Sequence, residues 1–145
     1  MSPVAPITLP VLFSSDYGFY TGAKIYRGYF YGTKATGVNI TTSGGLAFGW
    51  NAWLNRKLLG GNPGNASLTT TSEYLGFSTT QLSNQSNVLT AVVDYHGHDE
   101  TSTAHGVENP RGILGAELYS GNGTLNFTTW KIQGNAGGSA NIDPV

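Results

Sequence analysis

No cysteine occurs in the 145 residues. Disulfide bridges, thiolate metal sites and a cysteine nucleophile are thereby excluded. Charge is scarce as well: Asp, Glu, Lys and Arg make up 10% of the chain, and the formal net charge is −1. Without a basic stripe, no nucleic-acid partner is expected. No run of about 18 apolar residues exists, so no membrane-spanning helix and no membrane partner are expected. The chain opens Met1-Ser2-Pro3 with no basic or apolar leader, so no signal peptide is read in it. It contains no G-x-S-x-G nucleophile motif. It is also too short for a (β/α)₈ barrel, which needs roughly 200 residues or more.

What is abundant is glycine and aromatic side chains: 21 Gly, 8 Tyr, 6 Phe and 3 Trp. The glycines are scattered and interrupt the stretches rich in Leu and Ala, so no helix is read. Between them run short β-branched and aromatic segments. Residues 9–13, 24–31, 37–42, 46–54, 74–79, 87–95, 113–119 and 125–132 read as strands. In 24–31 Tyr26, Gly28 and Phe30 share one face, with Ile25, Arg27, Tyr29 and Tyr31 on the other. Residues 87–95 are nearly continuous apolar sequence, as in a strand buried on both faces or central in a sandwich. Asn55-Arg56-Lys57 reads as a polar turn leading to Leu58-Leu59. About eight strands with regular turns indicate an all-β antiparallel jelly-roll sandwich over residues 1–133. Residues 134–145 read as a glycine-rich linker leading to a following domain.

Five N-x-[ST] triplets, at Asn39, Asn65, Asn84, Asn122 and Asn126, are acceptor patterns for N-linked glycans. They point to an extracellular, secreted glycoprotein, and hence to a piece of a longer chain whose leader lies outside this sequence.

The densest chemistry lies in residues 92–114. They hold all three histidines (His96, His98, His105), the acids Asp94, Asp99, Glu100 and Glu108, and Arg111. His96 and His98 would share a face in a strand, as two Zn²⁺ ligands require. No third histidine follows at a metal-site spacing, and no EF-hand pattern appears, so neither metal nor cofactor is expected. Asp99 and Glu100 are adjacent, hence on opposite faces of a strand, and no second acid is paired with either across a cleft. No catalytic residue is therefore assigned. Acids that cap turns and solvate a loop are the account that fits them better.

Sugar binding is the other option, because pyranose rings stack on flat aromatic faces while polar side chains take the hydroxyls. The candidate residues are Trp53, Tyr95, His98, Glu100 and Arg111. Trp50 and Trp53 are three apart and so face opposite ways in a strand, which makes one of them a core residue. Arg111, held in the turn Asn109-Pro110-Arg111-Gly112, suits either an internal clamp or a clamp onto another domain or ligand.

Four stretches carry a resemblance: residues 10–31, 44–60, 87–115 and 129–145. The block DYHGHDE…GVENPRGI is the most specific, and A-W-L-N-x-x-x-L-G across residues 52–60 adds a strand–turn–strand pattern. On these residues the chain resembles fungal β-galactosidases of glycoside hydrolase family 35. The resemblance implies a large secreted glycoprotein whose barrel carries two catalytic glutamates and cleaves terminal β-galactosides with retention. It implies that this chain is one of the galactose-binding-domain-like jelly rolls packed around that barrel. Glu73, Glu100, Glu108 and Glu117 match none of the catalytic motifs. The expectation is a non-catalytic accessory domain whose partners are the other domains of the enzyme. The alternative is a carbohydrate-binding module for galactosides.

Overall fold

A computed structural model describes residues 4–5, 12–13, 18, 22–45, 48–65, 67–94 and 111–136. Eleven strands are formed among them: β1 (Val4–Ala5), β2 (Leu12–Phe13), β3 (Ala23–Tyr31), β4 (Ala35–Ser43), β5 (Trp50–Leu54), β6 (Lys57–Asn62), β7 (Thr70–Gly76), β8 (Ser86–Val93), β9 (Gly112–Ser120), β10 (Gly123–Leu125) and β11 (Thr129–Ala136). They make two antiparallel sheets. The six-stranded sheet runs β1-β11-β3-β8-β5-β6, and the other runs β10-β9-β4-β7 with β2 also alongside β9. This is the antiparallel sandwich that the strand spacing predicts.

The inward faces form one apolar layer. Tyr26, Phe30, Leu89, Ala91, Trp50, Leu54, Trp130 and Ile132 come from the six-stranded sheet, and Val38, Ile40, Ile113 and Leu118 from the other. Burying each large apolar side chain contributes about 1.5–3 kcal/mol before entropy is subtracted. In β3, Lys24, Tyr26, Gly28 and Phe30 are the buried set. A Cβ on Gly28 would stand 2.7 Å from the Trp130 ring and 2.9 Å from Phe127, so only glycine lets that aromatic pair lie across β3.

Strand β8 is central, between β3 and β5. Asn87, Leu89, Ala91 and Val93 are buried, while Val88, Thr90 and Val92 are half-buried outward. Its continuous apolar sequence therefore serves a covered inner face and a partly apolar outer one.

Of the strand boundaries that differ from the sequence reading, three have a visible physical reason. Strand β5 begins at Trp50, because Phe48 turns fully inward against Gly44. Strand β7 begins at Thr70, because its partners are hydroxyls: Thr71 Oγ1 bonds Thr42 Oγ1 at 3.0 Å and Ser72 Oγ bonds Thr41 Oγ1 at 2.9 Å. Ser78 then caps a 3₁₀ turn over Thr79–Gln81, its N–H donating to Gln81 Oε1 at 2.7 Å. Residues 125–132 split into β10 and β11, because Phe127 leaves the ladder for the core, where it is 5% exposed.

Two polar links tie the sheets together. The Trp50 indole N–H donates to Thr71 Oγ1 at 2.7 Å within the core. At the margin Asn62 Nδ2 on β6 donates to Glu73 Oε1 on β7 at 2.8 Å.

Candidate functional site

Alternation places every second side chain of the six-stranded sheet outward, and antiparallel register lines those side chains up in rows. One row crosses five strands: Lys131, Arg27, Thr90, Trp53 and Leu58. The row on one side of it is Gln133, Ile25, Val92, Asn51 and Gly61. The row on the other is Thr129, Tyr29 and Val88, whose carbonyl accepts the Asn55 N–H at 3.0 Å. Lys131 Nζ lies 5.6 Å from the centre of the Tyr29 ring.

Two open concavities flank the Trp53 row. The first, about 350 Å³, is walled by Trp53, Val92 and Pro63 and rimmed by Asn51, Asn62 and Asp94. Gly49 and Gly61 also line it, so part of its surface is bare backbone. Gly61 is required there, because a Cβ would collide with the Trp50 carbonyl oxygen. The Asp94 N–H donates to the Gly49 carbonyl at 2.9 Å, which holds the end of β8 against the rim. The second concavity, about 540 Å³, is lined by Arg27, Tyr29, Asn55, Arg56, Val88 and Thr90.

The turn between β5 and β6 shapes the second concavity. Asn55 and Arg56 both take left-handed backbone conformations, with φ of 49° and 72°. Two such residues in a two-residue hairpin loop give the turn whose twist matches the strands. Asparagine tolerates this geometry, whereas arginine at the second position is strained by about 1–2 kcal/mol. What holds it is a network around Asn87, which is fully buried. Asn87 Nδ2 donates to the carbonyls of Gly32 (2.9 Å) and Ser83 (3.0 Å). Its Oδ1 accepts from Asn55 Nδ2 and from the Ser83 N–H, both at 2.7 Å. Asn55 Nδ2 also donates to the Gln81 carbonyl at 2.9 Å, and Asn55 Oδ1 accepts the Val88 N–H at 2.9 Å.

Of the residues singled out from sequence, Trp53 stands half-buried on this outer face, while Trp50 points inward at 2% exposure. Arg111 is 3% exposed, with its guanidinium packed against Gly45, and it lines neither concavity. Tyr95, His98 and Glu100 lie outside the described residues, as do His96 and His105. Among the described residues no three His, Asp or Glu side chains converge as metal ligands. Asn65, Asn84, Asn122 and Asn126 are exposed, whereas Asn39 sits half-buried in β4 with Nδ2 bonded to Ser72 Oγ at 3.1 Å.

Sequence reasoning passed over Asn51, Asn62 and Asp94 as a group. A period-two reading outward from Trp53 reaches Asn51, but the others arrive through hairpin register and the end of β8. Lys24 was also passed over. It is buried at the start of β3, its Nζ donates to the Gly22 carbonyl at 2.7 Å, and burial lowers its pKa to about 8.

A family model described as "Beta-galactosidase second all-beta domain" matches residues 1–99. The chain is 66% identical to a protein of Sclerotinia sclerotiorum, 59% identical to one of Aspergillus niger and 55% identical to one of Penicillium rubens. All three carry the name "Probable beta-galactosidase C", and each alignment covers 100% of this chain. The chain spans only 14–15% of the length of these curated relatives. A second all-β domain agrees with the two-sheet sandwich described above, and the chain belongs to the β-galactosidase second all-β domain family.

Proposed function

We propose that this chain is a non-catalytic accessory domain of a secreted glycoside hydrolase family 35 β-galactosidase, which it stabilises by packing against neighbouring domains. Retaining hydrolysis of terminal β-galactosides then belongs to two glutamates elsewhere in the enzyme. The observation that carries the reading is the match of the whole chain to about one-seventh of proteins named as β-galactosidases. The outer face of the six-stranded sheet supports it. Ile25, Tyr29, Val88 and Val92 line that face half-buried, Tyr31 is 68% exposed and Leu58 is 59% exposed. An apolar surface of this kind is what a neighbouring domain covers.

The test has two arms. The purified 145-residue chain is assayed on a chromogenic β-galactoside, and no turnover is expected; turnover that survives rigorous purification overturns the reading. In the intact enzyme, the pair Tyr31→Ser and Leu58→Ser is expected to lower the melting temperature while leaving that of the isolated domain nearly unchanged. Equal effects on both would remove the packing role. Secretion and glycosylation are tested by expression in a fungal secretory host, where enzymatic removal of N-glycans lowers the mass. A second reading, a carbohydrate-binding module, is favoured by the Trp53 concavity alone.

A further inference from the structure

We propose that one end of the sandwich carries N-linked oligosaccharides, on Asn84 and Asn122, and faces solvent in the parent enzyme, so that neighbouring domains meet the sheet face and not this end. The inference rests on the secretion proposed above and adds an orientation to it.

Register brings the two acceptors together. Tyr31, the last residue of β3, pairs with Ser86, and the Gly32 N–H donates to the Gln85 carbonyl at 2.9 Å. Asn84 therefore lies just past the end of β3. Ala35, the first residue of β4, pairs with Ser120, so the β9–β10 turn that holds Asn122 lies past the same end. Asn126 stands there too, because the Thr128 N–H donates to the Tyr29 carbonyl at 2.7 Å. Strand β11 runs away from this end, from Thr129 beside Tyr29 to Ala136 beside Ala23. The chain spans 14–15% of the length of its relatives, and a chain that continues past β11 starts from the opposite end.

Chemistry separates these acceptors from the other triplets. The step forms a bond from Asn Nδ2 to C1 of an oligosaccharide carried on a lipid diphosphate. The C1–O bond breaks, the diphosphate leaves with the electron pair, and Nδ2 gives up one proton. The product is bulky and fits only in solvent. Asn84 and Asn122 are exposed, and their side chains make no hydrogen bond among the described residues. Ser86 and Thr124, the hydroxyl residues of their triplets, are exposed as well. Asn126 is set apart: Thr128 donates its hydroxyl to the Tyr29 carbonyl at 3.0 Å, and Phe127 within the triplet is buried. Asn39 is half-buried in β4 between β7 and β9, with Nδ2 held by Ser72. Asn65 is exposed but lies at the opposite end, between β6 and β7, and its Oδ1 accepts the Ser67 N–H at 2.8 Å.

The experiment maps glycopeptides of the intact enzyme, made in a fungal secretory host, by mass spectrometry. Enzymatic release converts each occupied Asn to Asp. Asn84 and Asn122 are expected to be modified in most molecules, Asn39 to be bare, and Asn65 to be modified less than either. Thr124→Ala keeps Asn122 but breaks its triplet, and Ser86→Ala does the same for Asn84. Each is expected to remove one glycan from the mass and leave β-galactoside turnover unchanged. An endoglycosidase that cuts within the glycan core is expected to strip both sites from the native enzyme as readily as from the denatured one. A secreted enzyme glycosylated elsewhere but bare at Asn84 or Asn122 overturns the proposal and leaves the accessory role standing. So does a modified Asn39, or release from Asn84 and Asn122 only after denaturation. An enzyme retained in the cell without any glycan overturns the secretion and the proposal together.

Discussion

On the six-stranded sheet the outward positions hold Ile25, Arg27, Tyr29, Val88, Val92, Asn51 and Trp53. On the five-stranded sheet they hold Asn39, Thr41, Ser72, Tyr74, Glu117 and Tyr119. The second set is polar, and its members bond to one another. Asn39 Nδ2 reaches Ser72 Oγ at 3.1 Å, and Ser72 Oγ lies 2.9 Å from Thr41 Oγ1. The Tyr119 hydroxyl donates to Glu117 Oε2 at 2.6 Å, which raises the phenol pKa, and its ring meets Tyr74 edge-on with centroids 6.0 Å apart. Even exposed Tyr74 spends its hydroxyl on the Thr36 carbonyl at 3.3 Å. On the six-stranded sheet the apolar residues and the open amide of Asn51 have no such closure. A face whose polar groups saturate one another is complete in water. A face that mixes apolar surface with the unspent amide of Asn51 is the one on which the proposed packing role rests.

The largest expected effect sharpens this contrast from underneath. Asn87→Ala strips the support from the β5–β6 turn and leaves several groups without partners, at a cost of about 3 kcal/mol or more in urea unfolding. A cost below about 1 kcal/mol would mean that the turn holds itself. Next comes pH. The six-stranded sheet turns a lysine inward, whereas the inward polar positions of the other are hydroxyls. Below about pH 8 Lys24 is protonated in both folded and unfolded chains, so its burial cost is felt in full. Between about 8 and the ordinary 10.5 the unfolded chain binds more proton, so stability rises with pH. Lys24→Met is expected to remove that rise, read as unfolding midpoints at either end of the window. Equal slopes in both proteins would reject it.

A smaller change relieves strain on the first face. Arg56→Gly is expected to stabilise the chain by up to about 1 kcal/mol, since glycine accepts the left-handed turn position. Destabilisation would show that Arg56 is held by contacts worth more than its strain. The smallest effect belongs to the saturated face: Ser72→Ala breaks surface hydrogen bonds and is expected to shift stability by no more than about 0.5 kcal/mol. A larger loss would make that hydroxyl network structural and weaken the contrast.

Much of the sandwich is legible from alternation. The two faces read from residues 24–31 hold side chain by side chain, and Trp50 and Trp53 do point opposite ways. Strand β7 is harder to read, because a strand that pairs through hydroxyls shows no apolar period. The Asn55–Asn87 bond joins residues 32 apart, and no local pattern announces it. The concavity was half legible, as Trp53 and Asn51 share a face by period two, while Asp94 enters only because β8 ends where it does. Arg111 left an internal and an outward clamp both open, because its neighbours in sequence are turn residues; its burial against Gly45 depends on the loop after β4.

The strand edges carry one more consequence. Unpaired edges invite pairing with other strands. Among the described residues three outer strands, β1, β2 and β10, are two or three residues long. The two longer ones, β6 and β7, are joined by the Asn62–Glu73 bond. While a long chain with several β domains is being synthesised, half-folded neighbours compete for each other's strands. Among its described residues this domain offers short outer strands and a fastened seam, which give such neighbours little to grip, so the sandwich can finish folding with its own strands.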